Sequence, residues 1–451
     1  YAANLSFNAA NFTPYTRWVE ALVDKVRQNP AGVINCDATA AASCLDAQAR
    51  KLVGQAFRGA ASTTVLDRFA TYFTSSASAN GLAEATAELV DLTLTSPHYV
   101  FRDEVNVNGV LSPAQQLQNL SYTLADAPPE ALGLASEQAG TQLSSPAAVQ
   151  QTIGAILKSP AARDKLLRFF IAWLEVKEPA ELVIAKDLFP EFTDEVANAA
   201  VADTREFLRQ QLTAAAPKLT AITQSTDAFV SDALAEVYGL RRVSATGLTA
   251  VDPKQRLGIF TQPGVIASHS GPTTTRLVKR GVFFTRKVMC LPLGNPPQGI
   301  DTTLPVNEDA SERQRVESAT ASATCQGCHA MINPFGFMQE NYDVTGRWRT
   351  TDNGHPIDSS IKLANILDEG PLETRSPVDA LRGITSSLRF QQCFTRQLFR
   401  FYMGRDEEKN DDPVLREMFF QFADAAGAQD IVGMLQTLAR SASFSQRSET
   451  P

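Results

Sequence analysis

Five residues, Cys325-Gln326-Gly327-Cys328-His329, constrain this chain more than any other stretch. Two thiols three positions apart, with an imidazole directly after the second, form the spacing of a c-type haem attachment site. Each sulfur adds across one vinyl group, which ties the porphyrin to one short turn of backbone. The adjacent imidazole of His329 then falls under the iron as its proximal axial ligand. The flanking segments must enclose a large flat group, and the iron brings electron transfer, peroxide or O2 chemistry, or ligand binding. Two other readings of Cys-x-x-Cys compete. A zinc site needs two further ligands, and no second Cys-x-x-Cys or His-x3-His follows. A dithiol redox pair belongs in a βαβ setting, which these flanks do not resemble.

The chain has six cysteines, so Cys36, Cys44, Cys290 and Cys393 remain after the motif. Covalent haem of this kind is attached outside the cytoplasm, where disulfides persist. Cys36 with Cys44 would close a small loop, and Cys290 with Cys393 would pair across a long separation; the alternative is four buried thiols packed as small hydrophobes. The formal charge of -8 argues against nucleic acid as a partner, because phosphate neutralisation needs a basic face. No run of 18 apolar residues occurs, so no transmembrane span is expected. Tyr1 opens into a polar, small-residue stretch with no basic segment leading into an apolar one. The sequence is therefore expected to be a mature or trimmed chain.

Hydrophobic spacing and punctuation predict a mainly α fold of several short-helix blocks packed into one body. The expected blocks are 1–105, a helical block carrying the Cys36–Cys44 loop; 106–250, a helical bundle; 251–365, an irregular Gly- and Pro-rich haem-binding block; and 366–451, helical again. Helices are expected from Thr13-Pro14, over Leu45–Phe57, Val65–Phe73 and Leu82–Leu94, and after Ser112-Pro113, Ser145-Pro146 and Ser159-Pro160. Others are expected over Thr193–Leu212, Phe229–Tyr238 and Gly281–Cys290, with a charged, solvated one over Asn307–Ala321. Pro292–Pro297 reads as an extended exit. Asp352-Asn353-Gly354 reads as the turn of a small β-hairpin within Thr350–Ile361. The last block predicts helices over Phe390–Tyr402, Pro413–Ala425 and Ala428–Ala439.

A haem iron has a second axial position. Besides His329 the chain has only His98, His269 and His355. Met331 and Met338 lie too close behind the motif to reach the opposite haem face. His269, before a Gly-Pro turn in the haem block, is the first distal candidate, and Met403, before Gly404, is the second. Arg347 and Arg349 are candidate partners of the haem propionates. Glu340 and Asp343 are the nearby carboxylates that a peroxidase would need as acid and base. The residues from Ala330 to Asp343 suit packing on a porphyrin edge. A basic patch is expected at Lys279-Arg280 and Arg286-Lys287. No phosphate loop stands out, Gly-x-Ser-x-Gly is absent, and the turn at Asp352 is too short for a calcium loop.

The order of several stretches carries a resemblance. They are Ala56-Phe57-Arg58, Leu94 to Arg102, Phe229 to Gly239, Arg256 to Gln262, Lys279-Arg280-Gly281, Cys325 to Asp343 with Gly346-Arg347-Trp348-Arg349, and Leu398 to Arg405. Over most of its length the chain resembles a family of exported bacterial c-type cytochrome-like proteins, built from serial domains of unknown function and associated with planctomycete-type cytochrome domains. The resemblance implies an exported, mostly helical protein with one covalent haem c at Cys325, Cys328 and His329. His98 stands where the family pattern requires no histidine. The expected function is that of a periplasmic or extracellular mono-haem cytochrome, serving an unknown redox partner or a larger assembly. A peroxidase- or oxygenase-like enzyme with an open iron is the alternative, and a haem that mainly staples the fold is a third reading.

Overall fold

Helix starts in this chain are repeatedly written as serine followed by proline. Proline at the first helical position has φ already set and no N–H to leave unbonded, while the serine hydroxyl accepts a free N–H of the first turn. Ser112 accepts from Gln115 in a full capping box, Ser159 from Ala162, Ser145 from Ala148 and Ser376 from Asp379. The computed structural model describes residues 9–36, 42–59, 61–101, 110–241, 247–294, 304, 307, 309–364, 366–423 and 429–445. Within them the fold is mainly α, with small two-stranded antiparallel sheets. Residues 295–297 of the expected proline-rich exit lie outside the described residues. So do residue 308 of the expected charged helix and residues 424–428, which take in the end of the expected helix Pro413–Ala425 and the first residue of Ala428–Ala439.

The chain divides into two units, Tyr1–Ile156 with Ala439–Pro451, and Leu157–Leu438. The boundaries fall within the expected blocks 106–250 and 366–451, and leave 1–105 and 251–365 whole. In the first unit, Ala9–Gln28 lays Val19, Val23 and Val26 against Ala87, Val90 and Leu94 of the helix Leu82–Thr95. Ala49, Val53 and Phe57 of Ala42–Ala56 and its exit pack on Ala70 and Phe73 of Thr63–Asn80. The Cys36–Cys44 disulfide is formed. Thr13-Pro14 does not open the first helix; Pro14 lies inside it. One missing rung near an N-terminus leaves the longer apolar stripe intact.

In the second unit, Trp173 at the end of Pro160–Trp173 sits among Phe169, Phe170, Phe260, Phe390 and Phe394. Its indole N–H donates to the Lys287 carbonyl at 2.9 Å. The helix expected over Phe229–Tyr238 is absent. A strand Asp227–Phe229 pairs with Leu248–Ala250, and a 3-10 turn Asp232–Leu234 follows. Ala228 and Val230 are both buried, two residues apart, which is the strand period. Asp203 accepts the Ser231 N–H at 2.6 Å, holding the chain out of helical geometry. The expected hairpin is present: Thr351–Asp352 pairs with His355–Pro356, and φ is 47° at Asn353 and 78° at Gly354, as a type I′ turn requires. Ile361–Leu363 with Leu372–Thr374 forms another pair. The Cys290–Cys393 disulfide joins the chain just after a π-helical turn, Phe284–Val288, to the helix Leu388–Met403.

The feature that places the site is a crossing of two helices, Leu277–Phe283 and Ala323–Phe337. A methyl group on Gly281 would lie 2.3 Å from the Ile332 carbonyl oxygen, and one on Gly336 would lie 2.2 Å from the Leu277 carbonyl oxygen. The two backbones therefore touch directly at both points. That contact fixes the rotation of the second helix, and so the direction in which Cys325, Cys328 and His329, one to three turns earlier on the same stripe, project.

Candidate haem-attachment helix

The motif occupies the first half of Ala323–Phe337. Ser322 caps this helix, accepting the Cys325 N–H at 3.4 Å, and its hydroxyl also lies 3.2 Å from the Cys325 sulfur. Cys325, Cys328 and His329 stand at i, i+3 and i+4, the spacing that puts three side chains on one helix face. Both thiols are free, and all three side chains are half-buried.

Behind the imidazole runs a short chain of hydrogen bonds. His329 Nδ1 lies 2.8 Å from Asn333 Oδ1, Asn333 Nδ2 donates to Thr320 Oγ1 at 3.0 Å, and Thr320 Oγ1 donates to the Val316 carbonyl at 2.7 Å. The order is forced from the far end. The Thr320 proton is spent on a carbonyl, so its oxygen accepts from the Asn333 amide. The Asn333 oxygen, which only accepts, then faces the ring, so Nδ1 carries the proton. Nε2 keeps its lone pair, with no partner among the described residues. Gln326 Nε2 donates to the Thr320 carbonyl at 2.8 Å. Two uncommitted sulfurs and one bare imidazole nitrogen on a single face are the donor set that covalent haem attachment requires. Among the described residues no group of three or more His, Cys, Asp or Glu is placed to hold a free metal ion.

Of the residues after His329 expected at a porphyrin edge, Ala330 is exposed and Met331 half-buried, while the run from Phe335 to Asp343 is buried. Phe335, Phe337 and Met338 are buried in the protein core, and Phe335 stacks on Phe284 at 6.1 Å. Arg280 is not part of a surface patch either. It is fully buried and donates to the carbonyls of Gln339 at 3.0 Å, Tyr342 at 2.8 Å and Asp343 at 3.0 Å, and to Ser270 Oγ at 2.8 Å. Burial lowers its pKa to about 10, so the charge survives at neutral pH. Arg280 thus clamps the loop that leaves the motif helix. The helix over Glu312–Ala319 is shorter than expected, and its first residue is not solvated. The buried carboxylate of Glu312 accepts from Thr275 N at 3.0 Å, Thr275 Oγ1 at 2.6 Å and Leu277 N at 2.9 Å, capping the crossing helix from outside.

Arg349 Nη1 pairs with Asp352 at 2.5 Å, and its Nε donates to the Glu340 carbonyl at 3.2 Å. Arg347 lies 3.5 Å from Glu236 and 3.9 Å from Glu191. No described contact brings either arginine to the motif face. Asp343 Oδ1 accepts from Thr345 N, Thr345 Oγ1 and Arg347 N at 2.8, 2.7 and 3.0 Å, and so organises its own turn. Glu340 is fully buried; one oxygen accepts from Arg313 N at 3.3 Å and the other has no partner. Burial, with a smaller contribution from Asp352, pushes its carboxyl up to about 7.

His269, the first distal candidate, is 4% exposed. Its Nε2–H donates to the Leu174 carbonyl at 2.9 Å, its ring lies 4.1 Å from that of Phe283, and its Nδ1 is buried without a partner. Ligation would require it to give up that bond. Met403 ends the helix Leu388–Met403 half-buried, with Gly404 closing it in the left-handed region at φ 67°. His355 Nε2 lies 2.7 Å from the Asp309 carbonyl, and His98 is exposed beside Phe57.

Buried His269 and Glu340 predict opposite pH effects. Burial lowers His269 from 6.5 to about 4, so the stability it contributes is full above 6.5 and lost as pH falls towards 4. Glu340 is raised from 4.5 to about 7, so its contribution is full below 4.5 and lost as pH rises towards 7. Each is worth on the order of 3 kcal/mol, and the two offset one another where the windows overlap. In urea titrations, E340Q should gain roughly 3 kcal/mol relative to the parent as pH rises from 4.5 to 7, and H269Q should lose a similar amount from 4 to 6.5. Difference curves flat with pH would remove both assignments.

Two stretches of the chain match family models. Residues 256–352 match PSCyt3, described as a protein of unknown function (DUF1588), and residues 111–240 match PSD4, described as a protein of unknown function (DUF1592). Both are domains of planctomycete-type cytochrome families, and they occur here in series. The matched ranges fall within the expected blocks 106–250 and 251–365. No curated protein and no solved structure matches the chain. No helix among the described residues is long and apolar enough to cross a membrane.

Sequence reasoning missed Asn333 and Thr320. The i, i+4 spacing of His329 and Asn333 was the available signal, and it becomes one only when the motif is placed on a helix.

Proposed function

We propose that this chain is an exported mono-haem c-type cytochrome in which Cys325 and Cys328 form the thioethers and His329 Nε2 is the proximal ligand. It passes electrons to a protein partner or carries the haem within a larger assembly. The observation that carries the reading is the donor set: two free thiols and a bare Nε2 on one helix face, beside four cysteines already paired with one another. Once bound, the haem supplies a one-electron couple at iron. The protein's part is to orient. Ser322 starts the helix, the Gly281 and Gly336 contacts set its rotation, and Asn333 turns the imidazole.

Periplasmic or extracellular location is supported by the two disulfides and by the cytochrome-associated domains. Met403 is the preferred distal donor, because the His269 ring is held by Leu174 and Phe283. Arg347, whose two carboxylate contacts are long, is the preferred propionate partner over Arg349. No observation favours the enzyme alternative, since Asp343 organises its own turn and Glu340 is fully buried against the Arg313 N–H.

The test is the intact mass of protein exported from a host that attaches c-type haem. The expected result is the polypeptide plus one haem, with complete loss of covalent haem in the C325A/C328A double variant. A bare polypeptide mass for the parent overturns the reading.

A further inference from the structure

We propose that Asn333 is a positioning residue for the proximal ligand: by accepting the His329 Nδ1 proton it selects the tautomer with Nε2 free and makes that nitrogen a stronger donor. The inference rests on the haem reading, but its geometry can be tested without haem.

Free imidazole distributes its proton between two nitrogens, and a ligand nitrogen must be the bare one. A hydrogen bond to the other nitrogen fixes the tautomer and ring plane and raises ligand basicity. Asn333 is 8% exposed and Thr320 7%, so the accepting side of this bond is shielded from water. Asn333 cannot turn its amide round, because its nitrogen is engaged by Thr320 at 3.0 Å and Thr320 is engaged by the Val316 carbonyl at 2.7 Å. Thr320 is also the C-cap of Glu312–Ala319, whose start is pinned through Glu312 to Thr275 and Leu277. The imidazole orientation is thus tied by side chains to the buried centre of this unit.

Three residues at this position separate positioning from simple packing. Aspartate, of the same shape, accepts the proton with a full charge; leucine accepts nothing; asparagine lies between. A more basic imidazole favours ferric over ferrous iron, so the midpoint potential should rise in the order N333D, parent, N333L. The expected step is about tenfold in ferric preference, which is roughly 59 mV for one electron. A purely structural role predicts no such order. T320V, which releases the Asn333 amide, should move the potential in the same direction as N333L and by less.

The haem-independent arm uses the C325S/C328S chain with ¹⁵N-labelled histidine. His329 is expected as the Nδ1–H tautomer there, and as the ordinary Nε2–H tautomer once N333L is added. Covalent haem with equal potentials in all three residues, or an Nε2–H tautomer in the C325S/C328S chain, overturns the role of Asn333. A bare parent mass overturns the haem reading alone and leaves the tautomer result to judge the geometry.

Discussion

Arg280→Met should cost about 3–5 kcal/mol of stability, measured as a shift of the denaturant midpoint at constant slope. Arg280 is fully buried, and its four hydrogen bonds go to three carbonyls of the 339–343 loop and to the Ser270 hydroxyl. Methionine fills most of the volume but leaves those acceptors facing an apolar chain, each at a cost of roughly 1–3 kcal/mol less whatever the loop recovers by relaxing. It also removes the positive charge that faces Glu312 and Asp343. R280K should fall between the two, because an ammonium keeps the charge but cannot span the same set of acceptors. Against a total of about 5–15 kcal/mol for a typical domain, the methionine variant sits near the edge of folding. A loss below about 1 kcal/mol would show that Arg280 is not the clamp described above.

Removing the Cys290–Cys393 disulfide should cost a similar amount. The cysteines are 103 residues apart in sequence, and closing a loop near that length restricts the unfolded chain by about 4.7 kcal/mol. Cys36 and Cys44 are 8 apart, so the same relation gives that disulfide only about 2–3 kcal/mol. The expected order in thermal or denaturant unfolding is parent, C36A/C44A, then C290A/C393A, with the second double variant the least stable. Equal losses for the two pairs would mean that chain entropy is not what the long disulfide contributes.

The parts of the fold that could be read in advance are those set by local chemistry. Serine-proline helix starts, the Asn353-Gly354 turn and the spacing of Cys325, Cys328 and His329 need only their neighbours in sequence. What escaped depends on distant partners. Lys279-Arg280 reads as surface because two adjacent cations usually are; the carbonyls of Gln339, Tyr342 and Asp343 that draw Arg280 inside lie some sixty positions away. Glu312 reads as the start of a solvated helix until Thr275 and Leu277 are placed beside it. The aromatics after His329 suited a porphyrin equally well in composition. Phe335 is instead taken up by Phe284, because the glycine crossing brings those two helices into contact. Phe229–Tyr238 reads as a helix by composition, but Asp203 and the pairing with Leu248–Ala250 decide for the strand at its start.

The glycine crossing has a consequence for biogenesis. The second half of the motif helix is fastened by bare backbone contacts and by the arginine clamp beyond its end, all made by the polypeptide itself. Its front turn relies on a serine cap and one glutamine. The helix is therefore held in place by protein contacts alone. On the haem reading proposed above, the group would be added to a scaffold that already holds Cys325 and Cys328 half-buried and unbonded to other cysteines.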